Sequence, residues 1–345
     1  MKKKDWILEK LKNNSKDEVN KMYETFINET GSKQSIETFK RKVRFFSGKV
    51  KEKKDFTVSD VKEDISGKEL WEMFEKLSQS RIENSESKRN RTVYIESNYP
   101  IAIVFTSDWH IGGETIYYKQ LKKDQKYISE NEGFYQIIGG DNIDNAIKHI
   151  GSMLNSKLSP DDSLKMLDYL LSISGDKLLF ALGGNHDYWT KERSGMSAID
   201  NFFKERLFEY VNHSINIDLI FNDITYKIKG NHKYKYNSSF NLTHTVKRLW
   251  EMGDFNFDIG FIAHHHEAGF EYFTKHNEKR LAIRNGSYQA FTGYSLGNGF
   301  NQSQPLNPTV ILYPDKKDMV CFMNIYEAGE FLKHERERYS KGIVK

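Results

Sequence analysis

Five short runs in this chain end in the same kind of chemistry. "IAIVFTS" leads into Asp108 and His110, "FYQIIG" into Asp141 and Asp144, and "KLLFALG" into Asn185, His186 and Asp187. "TYKIKG" leads into His232, and "FDIGFI" into His264, His265 and His266. The runs have strand length, and most are apolar throughout, which is the pattern of a strand covered on both faces. Helical stretches at 159–174 and 195–211 lie among them, so strands alternate with helices and the expected fold class is α/β, built in layers. Later runs, "KRLAIRNGSY", "TVILYP" and "DMVCFMNIY", read as a closing set of antiparallel strands. In open α/β folds the loops at the carboxyl ends of strands converge on the site. Taken singly, each polar residue is ordinary: a strand-end Asp caps a turn, an Asn-His pair makes one, and a lone His lies on the surface or in a satisfied core. Five ends carrying Asp, Asn or His in one chain point to a common metal-ligand cluster.

The rest of the composition narrows the chemistry. The single cysteine, Cys321, lies in an apolar run, which excludes disulfides and thiolate metal sites and fits a reducing cytoplasm. Carboxylate, amide and imidazole donors suit Mn²⁺, Fe or Zn²⁺, with Mn²⁺ the first expectation. With 38% hydrophobic and 29% charged residues and only 5 prolines, the chain is globular. No apolar run approaches the ~20 residues of a membrane helix. The start, "MKKKDWILEKLKNN", has no signal-peptide core, so no membrane association is expected.

The order D-x-H, GD-x-x-D, GNHD, H, H-x-H resembles the calcineurin-like metallophosphoesterase superfamily. "SDWHIGG", "GGDNIDN" and "GGNHDYW" match its first three motifs, and the resemblance covers roughly residues 98–325. Its fifth motif, normally G-H-x-H, has Ala263 in place of Gly but keeps His264 and His266. Its fourth motif leaves two candidates in "GNHKYKYNSSFNLTH": His232, favoured because it directly follows a strand, and His244. The layout also resembles phosphoesterases encoded by bacteriophages.

The resemblance implies a layered β-sandwich flanked by helices and two divalent metal ions sharing Asp141. Asp108, His110 and His266 would complete one ion's ligands, and Asn185, His232 and His264 the other's. It implies phosphoester hydrolysis by metal-activated hydroxide. His186 is then the candidate general acid or phosphate-oxygen donor, and Asp144 matches the position whose carboxylate orients that histidine and favours its protonated form. His265 reads as an exposed or supporting histidine.

The substrate is less constrained, because one metal core serves many phosphoesters. Residues 1–55 hold 16 Lys and Arg against 9 Asp and Glu, whereas the remainder holds 36 against 39. This basic segment, 1–55, reads as three short helices resembling a helix-turn-helix module, with a helical adaptor as the alternative. Lys40, Arg41, Lys42 and Arg44 of its third helix are candidate nucleic-acid contacts, as are Lys233, Tyr234, Lys235 and Tyr236 beside His232. A charged helical connector is expected over 56–95, the phosphoesterase domain over 96–326 and a charged tail over 327–345. The expected activity is a nuclease acting on DNA. The alternatives are a phosphatase or phosphodiesterase on nucleotides or other small phosphoesters, and a DNA-binding or virion-associated protein with a secondary phosphoesterase site.

Overall fold

The run "IAIVFT" forms strand β2, Ile101–Thr106, and all six residues are buried. Alternate residues face opposite ways along a strand. Ile101, Ile103 and Phe105 therefore enter one apolar cluster and Ala102 and Val104 another. This double burial recurs through the domain and produces its layers. The computed structural model describes Ile7, residues 19–30, 39, 40 and 43, and from residue 66 onward all but 88, 146, 148–157, 239, 254, 298, 300–302, 344 and 345. The chain divides into two compact units, Met1–Glu75 and Lys76–Lys345.

In the first unit, helix α1, Val19–Thr30, buries Met22 and Phe26 at helical spacing. Phe39 packs on Phe26 with ring centroids 4.9 Å apart, and Ile7 and Val43 are also buried. Lys40 is half-buried, while Arg41, Lys42 and Arg44 lie outside the described residues. Helix α2, Gly67–Ser87, runs across the division between the units.

The second unit contains twelve described strands: β1 (Asn90–Ile95), β2, β3 (Phe134–Ile138), β4 (Leu178–Gly183), β5 (Tyr210–Asn212), β6 (Ser214–Phe221), β7 (Ile224–Asn231), β8 (Ile259–Ile262), β9 (Gly269–Lys275), β10 (Glu278–Arg284), β11 (Thr309–Leu312) and β12 (Met319–Phe322). Its helices of eight residues or more are α3 (Tyr118–Glu130), α4 (Pro160–Ser174), α5 (Asn185–Ser194), α6 (Ala198–Glu205), α7 (His244–Met252) and α8 (Ile325–Ser340). The strands form two six-stranded sheets, ordered β1-β6-β7-β8-β10-β9 and β12-β11-β2-β3-β4-β5. Between the sheets lie Ile103, Phe105, Phe180, Ile217, Ile228 and Phe261, and the rings of Phe105 and Phe261 meet at 5.2 Å. Helices α3, α4, α6 and α8 cover the outer face of the second sheet, and α7 covers the first through Val246, Leu249 and Trp250. The result is the expected β-sandwich flanked by helices. Each large apolar side chain buried in it contributes about 1.5–3 kcal/mol.

Two expected boundaries change. Residues 90–95, expected at the end of a helical connector, form β1, which pairs with β6 in parallel. Residues 327–345, expected as a charged tail, are largely helix α8. Its Ala328 and Leu332 are buried against Val104, Phe134 and Ile311. The dense charge hides a stripe of Ile325, Ala328 and Leu332 at helical spacing.

Strand direction places the site. Strands β2, β3 and β4 pair in parallel, as do β7, β8 and β10. The loops after β2, β3 and β4 therefore leave one edge of the second sheet together, and those after β7, β8 and β10 leave one edge of the first.

Candidate metal centre

The first two loops, after β2 and β3, are tied through the backbone. Asp108 N donates to Gly140 O (2.9 Å), His110 N to Asp141 O (3.0 Å) and Asp144 N to Ile111 O (2.9 Å). The turns are tight enough that Asp108, His110 and Asp141 take positive φ values of 49°, 43° and 49°. His264 and His266 do the same at 73° and 60°. Such conformations cost about 1–3 kcal/mol each in a non-glycine residue and persist only where the surroundings impose them. The paired glycines have a steric role. A Cβ at Gly184 would collide with Asp141 Oδ1, and one at Gly140, whose φ is +110°, would collide with His232 Nδ1.

Three groups of candidate ligand atoms result: Asp108–His110–His266, Asp141–His232–His264, and His110–Asp144–His186, which shares His110 with the first. In the first, Nε2 of His110 and Nε2 of His266 lie 3.2 Å apart, and Asp108 Oδ1 lies 3.2 Å from His266 Nε2. In the second, His232 Nε2 lies 3.2 Å from Asp141 Oδ2 and 3.1 Å from Asn185 Oδ1. The first two groups meet at one atom, because Asp141 Oδ2 is also 3.8 Å from His110 Nε2. His232 Nδ1 faces the carbonyl of Gly139 at 2.9 Å, which assigns the proton to Nδ1 and leaves Nε2 as the donor atom.

A cation suits these residues. Asp108 is fully buried and its Oδ1 accepts no hydrogen bond, a costly state for a buried carboxylate that a cation between it and two imidazoles would relieve. The field has the same sense. Burial works against a charge on His110, but Asp144, Asp141 and Asp108 overcome it and raise its pKa to about 9. Burial likewise opposes charge on His232, and Asp141 and Asp108 raise it to about 9. Burial pushes Asp141 up, yet the charges of His232, His186 and His110 hold it well below the carboxylate range. His264 goes the other way: burial, then the charge of His232, lowers it to about 3.

Other residues expected at the site take up more specific places. His232, not His244, stands in the cluster; His244 begins α7. Ala263 is fully buried and its N–H reaches His232 O at 3.2 Å, so the methyl group in place of glycine is accommodated. His265 belongs to none of these groups, and burial lowers it to about 4.

The contact expected between Asp144 and His186 is made differently. His186 Nδ1 meets the backbone carbonyl of Asp144 at 2.5 Å, whereas the carboxylate is 3.8 Å away and closer, 3.3 Å, to Nδ1 of His110. Asp144 thus supports a ligand histidine with its side chain and the candidate catalytic one with its backbone. Burial, the largest influence, lowers the pKa of His186, so the expected protonated form is not favoured. The ring is fixed by Trp189, 3.9 Å between centroids, and by His186 N donating to Asp141 Oδ1 (2.9 Å) at the start of α5.

The motif reading assigned no role to Asp187. It is buried and accepts hydrogen bonds from Gly184 N (2.9 Å), Asn142 N (3.1 Å to each oxygen), Asn142 Nδ2 (2.8 Å) and Ile143 N (3.3 Å). It clamps the loop after β3 to the loop after β4. Burial and the charge of Asp141 raise it to about 6. Its place as the last residue of "GNHD" was the available signal.

Beside the centre, Lys233, Lys235 and Tyr236 are exposed, with Lys235 Nζ 5.1 Å from the Tyr236 ring. Tyr234 instead packs against the α7 cluster, because its ring completes an apolar contact. Phe240, not singled out in the sequence, is fully exposed on the same loop.

The calcineurin-like phosphoesterase family model matches residues 101–293, more than half of the 345-residue chain. The chain belongs to the calcineurin-like phosphoesterase family. The family is metal-dependent and hydrolyses phosphoesters. Solved structures similar to this phosphoesterase include a conserved uncharacterized protein, described as a predicted phosphoesterase, from Streptococcus pneumoniae (14% identity, 65% of this chain and 97% of that one, TM-score 0.32). A metallophosphoesterase from Sphaerobacter thermophilus matches at 10% identity, covering 69% and 97%, with TM-score 0.33. The Pseudomonas putida nuclease MPE matches at 11%, covering 64% and 87%, with TM-score 0.30. At these TM-scores the likenesses add nothing to the family match. No curated protein matches the chain. Among the described residues, no helix is long and apolar enough to cross a membrane.

Proposed function

We propose that this phosphoesterase holds two divalent metal ions and hydrolyses phosphodiester bonds in a DNA strand. The observation that carries the reading is the meeting of the first two ligand groups at Asp141 Oδ2. Asp108, His110, His266 and Asp141 would hold one ion; Asn185, His232, His264 and Asp141 the other. When bound, such a pair supplies a nucleophile at neutral pH and neutralises charge on the phosphoryl oxygens. Mn²⁺ is the first candidate, and Fe or Zn²⁺ suit the same donors.

The chain's own residues do the rest. His186 belongs to neither of those ligand sets, yet its ring lies 4.5 Å from that of His110. With the Nδ1 proton committed to the Asp144 carbonyl, Nε2 of the neutral ring holds a lone pair, and it would donate to a phosphoryl or leaving oxygen only after taking up a second proton. Lys233 and Lys235 supply charge for backbone phosphates, and exposed Tyr236 and Phe240 supply faces for unpaired bases. These aromatics favour a single strand over a small phosphoester.

The test is hydrolysis by the metal-loaded full chain of bis-p-nitrophenyl phosphate, p-nitrophenyl phosphate, and single- and double-stranded DNA. The expected result is cleavage of the diester and of single-stranded DNA in preference to the monoester. Cleavage of the monoester alone would replace the reading with a phosphatase.

A further inference from the structure

A cavity of about 400 Å³ opens on the same rim of the second sheet as the metal centre. Strand β12 is antiparallel to β11, which is antiparallel to β2, so the carboxyl end of β12 and the residues before β11 lie beside the end of β2. The cavity is enclosed there by the first turns of α3, the segment 304–307 and the start of α8. Tyr288 links its wall to the backbone of the centre. Tyr288 N donates to Asp108 O (3.1 Å), and the Tyr288 hydroxyl donates to Asp124 Oδ2 (2.6 Å) at the cavity wall.

Asp124 decides what kind of ligand fits. It is 1% exposed and accepts four hydrogen bonds. Gln120 Nε2 (2.6 Å) and the Tyr326 hydroxyl (2.7 Å) reach Oδ1, and the Tyr288 hydroxyl (2.6 Å) and Asn307 Nδ2 (3.1 Å) reach Oδ2. A carboxylate occupied in this way stiffens the floor and has little capacity left for a cation. What the walls present is the ring of Tyr117, the exposed amide of Gln304 and the Nδ2 of Asn324, whose Oδ1 caps α8 by accepting from Tyr326 N (2.8 Å); the Tyr326 ring itself packs on Tyr127, 4.8 Å between centroids. At the mouth, exposed Lys123 places its ammonium 4.5 Å from the centroid of the Tyr326 ring. Aromatic faces stack on bases, and amide edges pair with their donor and acceptor pattern. The volume lies in the range of about 300–1,000 Å³ found for small-ligand pockets.

We propose that this cavity receives the base of a nucleotide flanking the scissile phosphate, with Lys123 on an adjoining backbone phosphate. The inference rests on the phosphodiesterase reading of the metal centre and adds a subsite that reads the substrate's base. It makes the enzyme selective for diesters that carry a nucleoside.

The experiment compares Gln304→Ala, Lys123→Ala and the cavity-filling Leu306→Trp with the parent on two substrates, bis-p-nitrophenyl phosphate and a short single-stranded oligonucleotide. The expected result is a KM for the oligonucleotide raised about tenfold, as loss of one stacked or paired base would give, with a much smaller change on the nucleoside-free diester. Equal losses on both substrates, or none on either, would overturn the subsite. Binding of adenosine, guanosine, cytidine and thymidine to the full chain, read by saturation-transfer NMR, separates this inference from the activity it rests on. If at least one nucleoside binds and Leu306→Trp removes the binding while no diester is cleaved, the subsite stands and the proposed activity fails. If diesters are cleaved but no nucleoside binds and no variant separates the substrates, the subsite fails and the activity stands.

Discussion

The loops after β2, β3 and β4 are tied to one another by backbone hydrogen bonds and by the Asp187 clamp, whereas those after β7 and β8 reach across to them through fewer bonds. His232 Nδ1 meets Gly139 O, and His264 N donates to Asp108 Oδ2 at 3.2 Å. Burial divides the residues differently: Asp108, His110, Asp141 and His232 are at most 1% exposed, whereas the side chains of His186 and His266 are 20% and 26% exposed. The loops after β2, β3 and β4 are thus held more rigidly, and His186 and His266 line the open side on which a substrate must arrive. A rigid half preserves ligand geometry before a cation binds, which lowers the ordering cost of binding it. The open half leaves room for the reacting group.

The largest effect should come from the residue common to both ligand groups. Asp141→Asn keeps the side chain's shape but removes the charge that both groups face. Diester hydrolysis should fall below detection and bound metal should be lost from both halves. Metal analysis finding two ions on folded Asp141→Asn protein would break the comparison at its joint.

His232→Ala and His266→Ala should both abolish metal-dependent turnover but differ in stability. Removing His232 strips the Gly139 carbonyl of a buried partner, at a cost of about 1–3 kcal/mol. Removing the more exposed His266 should leave the unfolding midpoint almost unmoved. Denaturant unfolding of the two variants checks this, and equal losses would mean that burial does not distinguish these two ligands of the open half. His244→Ala should retain activity, since His244 lies outside both groups.

His186→Ala should keep its metal and lose about 10²–10⁴-fold in turnover, the usual worth of a positioned proton-transfer group. The loss should shrink for nitrophenolate esters, whose leaving group needs no proton. A loss independent of leaving group would assign His186 to phosphate binding instead.

Asp187→Asn tests the clamp. An amide offers one acceptor oxygen where a carboxylate oxygen pair now accepts from Gly184, Asn142 and Ile143, and it sets a donor against other donors. Stability should drop by about 1–3 kcal/mol, and metal affinity should weaken with the half that the clamp holds. Thermal unfolding with and without metal measures both.

The smallest effects should lie on the open side. Tyr236→Ala and Phe240→Ala should each weaken single-stranded DNA binding by up to about 1–3 kcal/mol, and hydrolysis of the small diester should be little affected. Unchanged DNA affinity in a fluorescence titration would remove this loop from the substrate path.

The rigid half was also the more legible one. "SDWHIGG", "GGDNIDN" and "GGNHDYW" are short, and each combines its ligands with the glycines that let the loops approach. The open half supplied His232 and His244 as alternatives; the strand before His232 favoured it, and the structure places it, not His244, in the cluster. Tyr234 and Tyr236 looked equivalent in "HKYKYN", yet one packs against α7 and the other faces solvent. The segment after residue 327 read as a tail because its charges obscured a stripe of three apolar residues.

The sequence by itself determined the alternation of strands and helices, the donor types and the order of the motifs. Those properties lie in local periodicity and in side-chain chemistry, which a linear pattern displays directly. Only the tertiary structure decided that Asp141 Oδ2 stands between two histidines, that the Asp144 carboxylate turns to His110 while its carbonyl takes His186, and that Asp187 ties two loops together. It alone joined Asp124, Tyr288 and Asn307, which lie up to 183 positions apart in the chain, in one hydrogen-bonded cluster beneath the cavity. Those contacts depend on which strands pair and in which direction. Pairing partners are chosen by burial across the whole sandwich, which no short stretch of residues encodes.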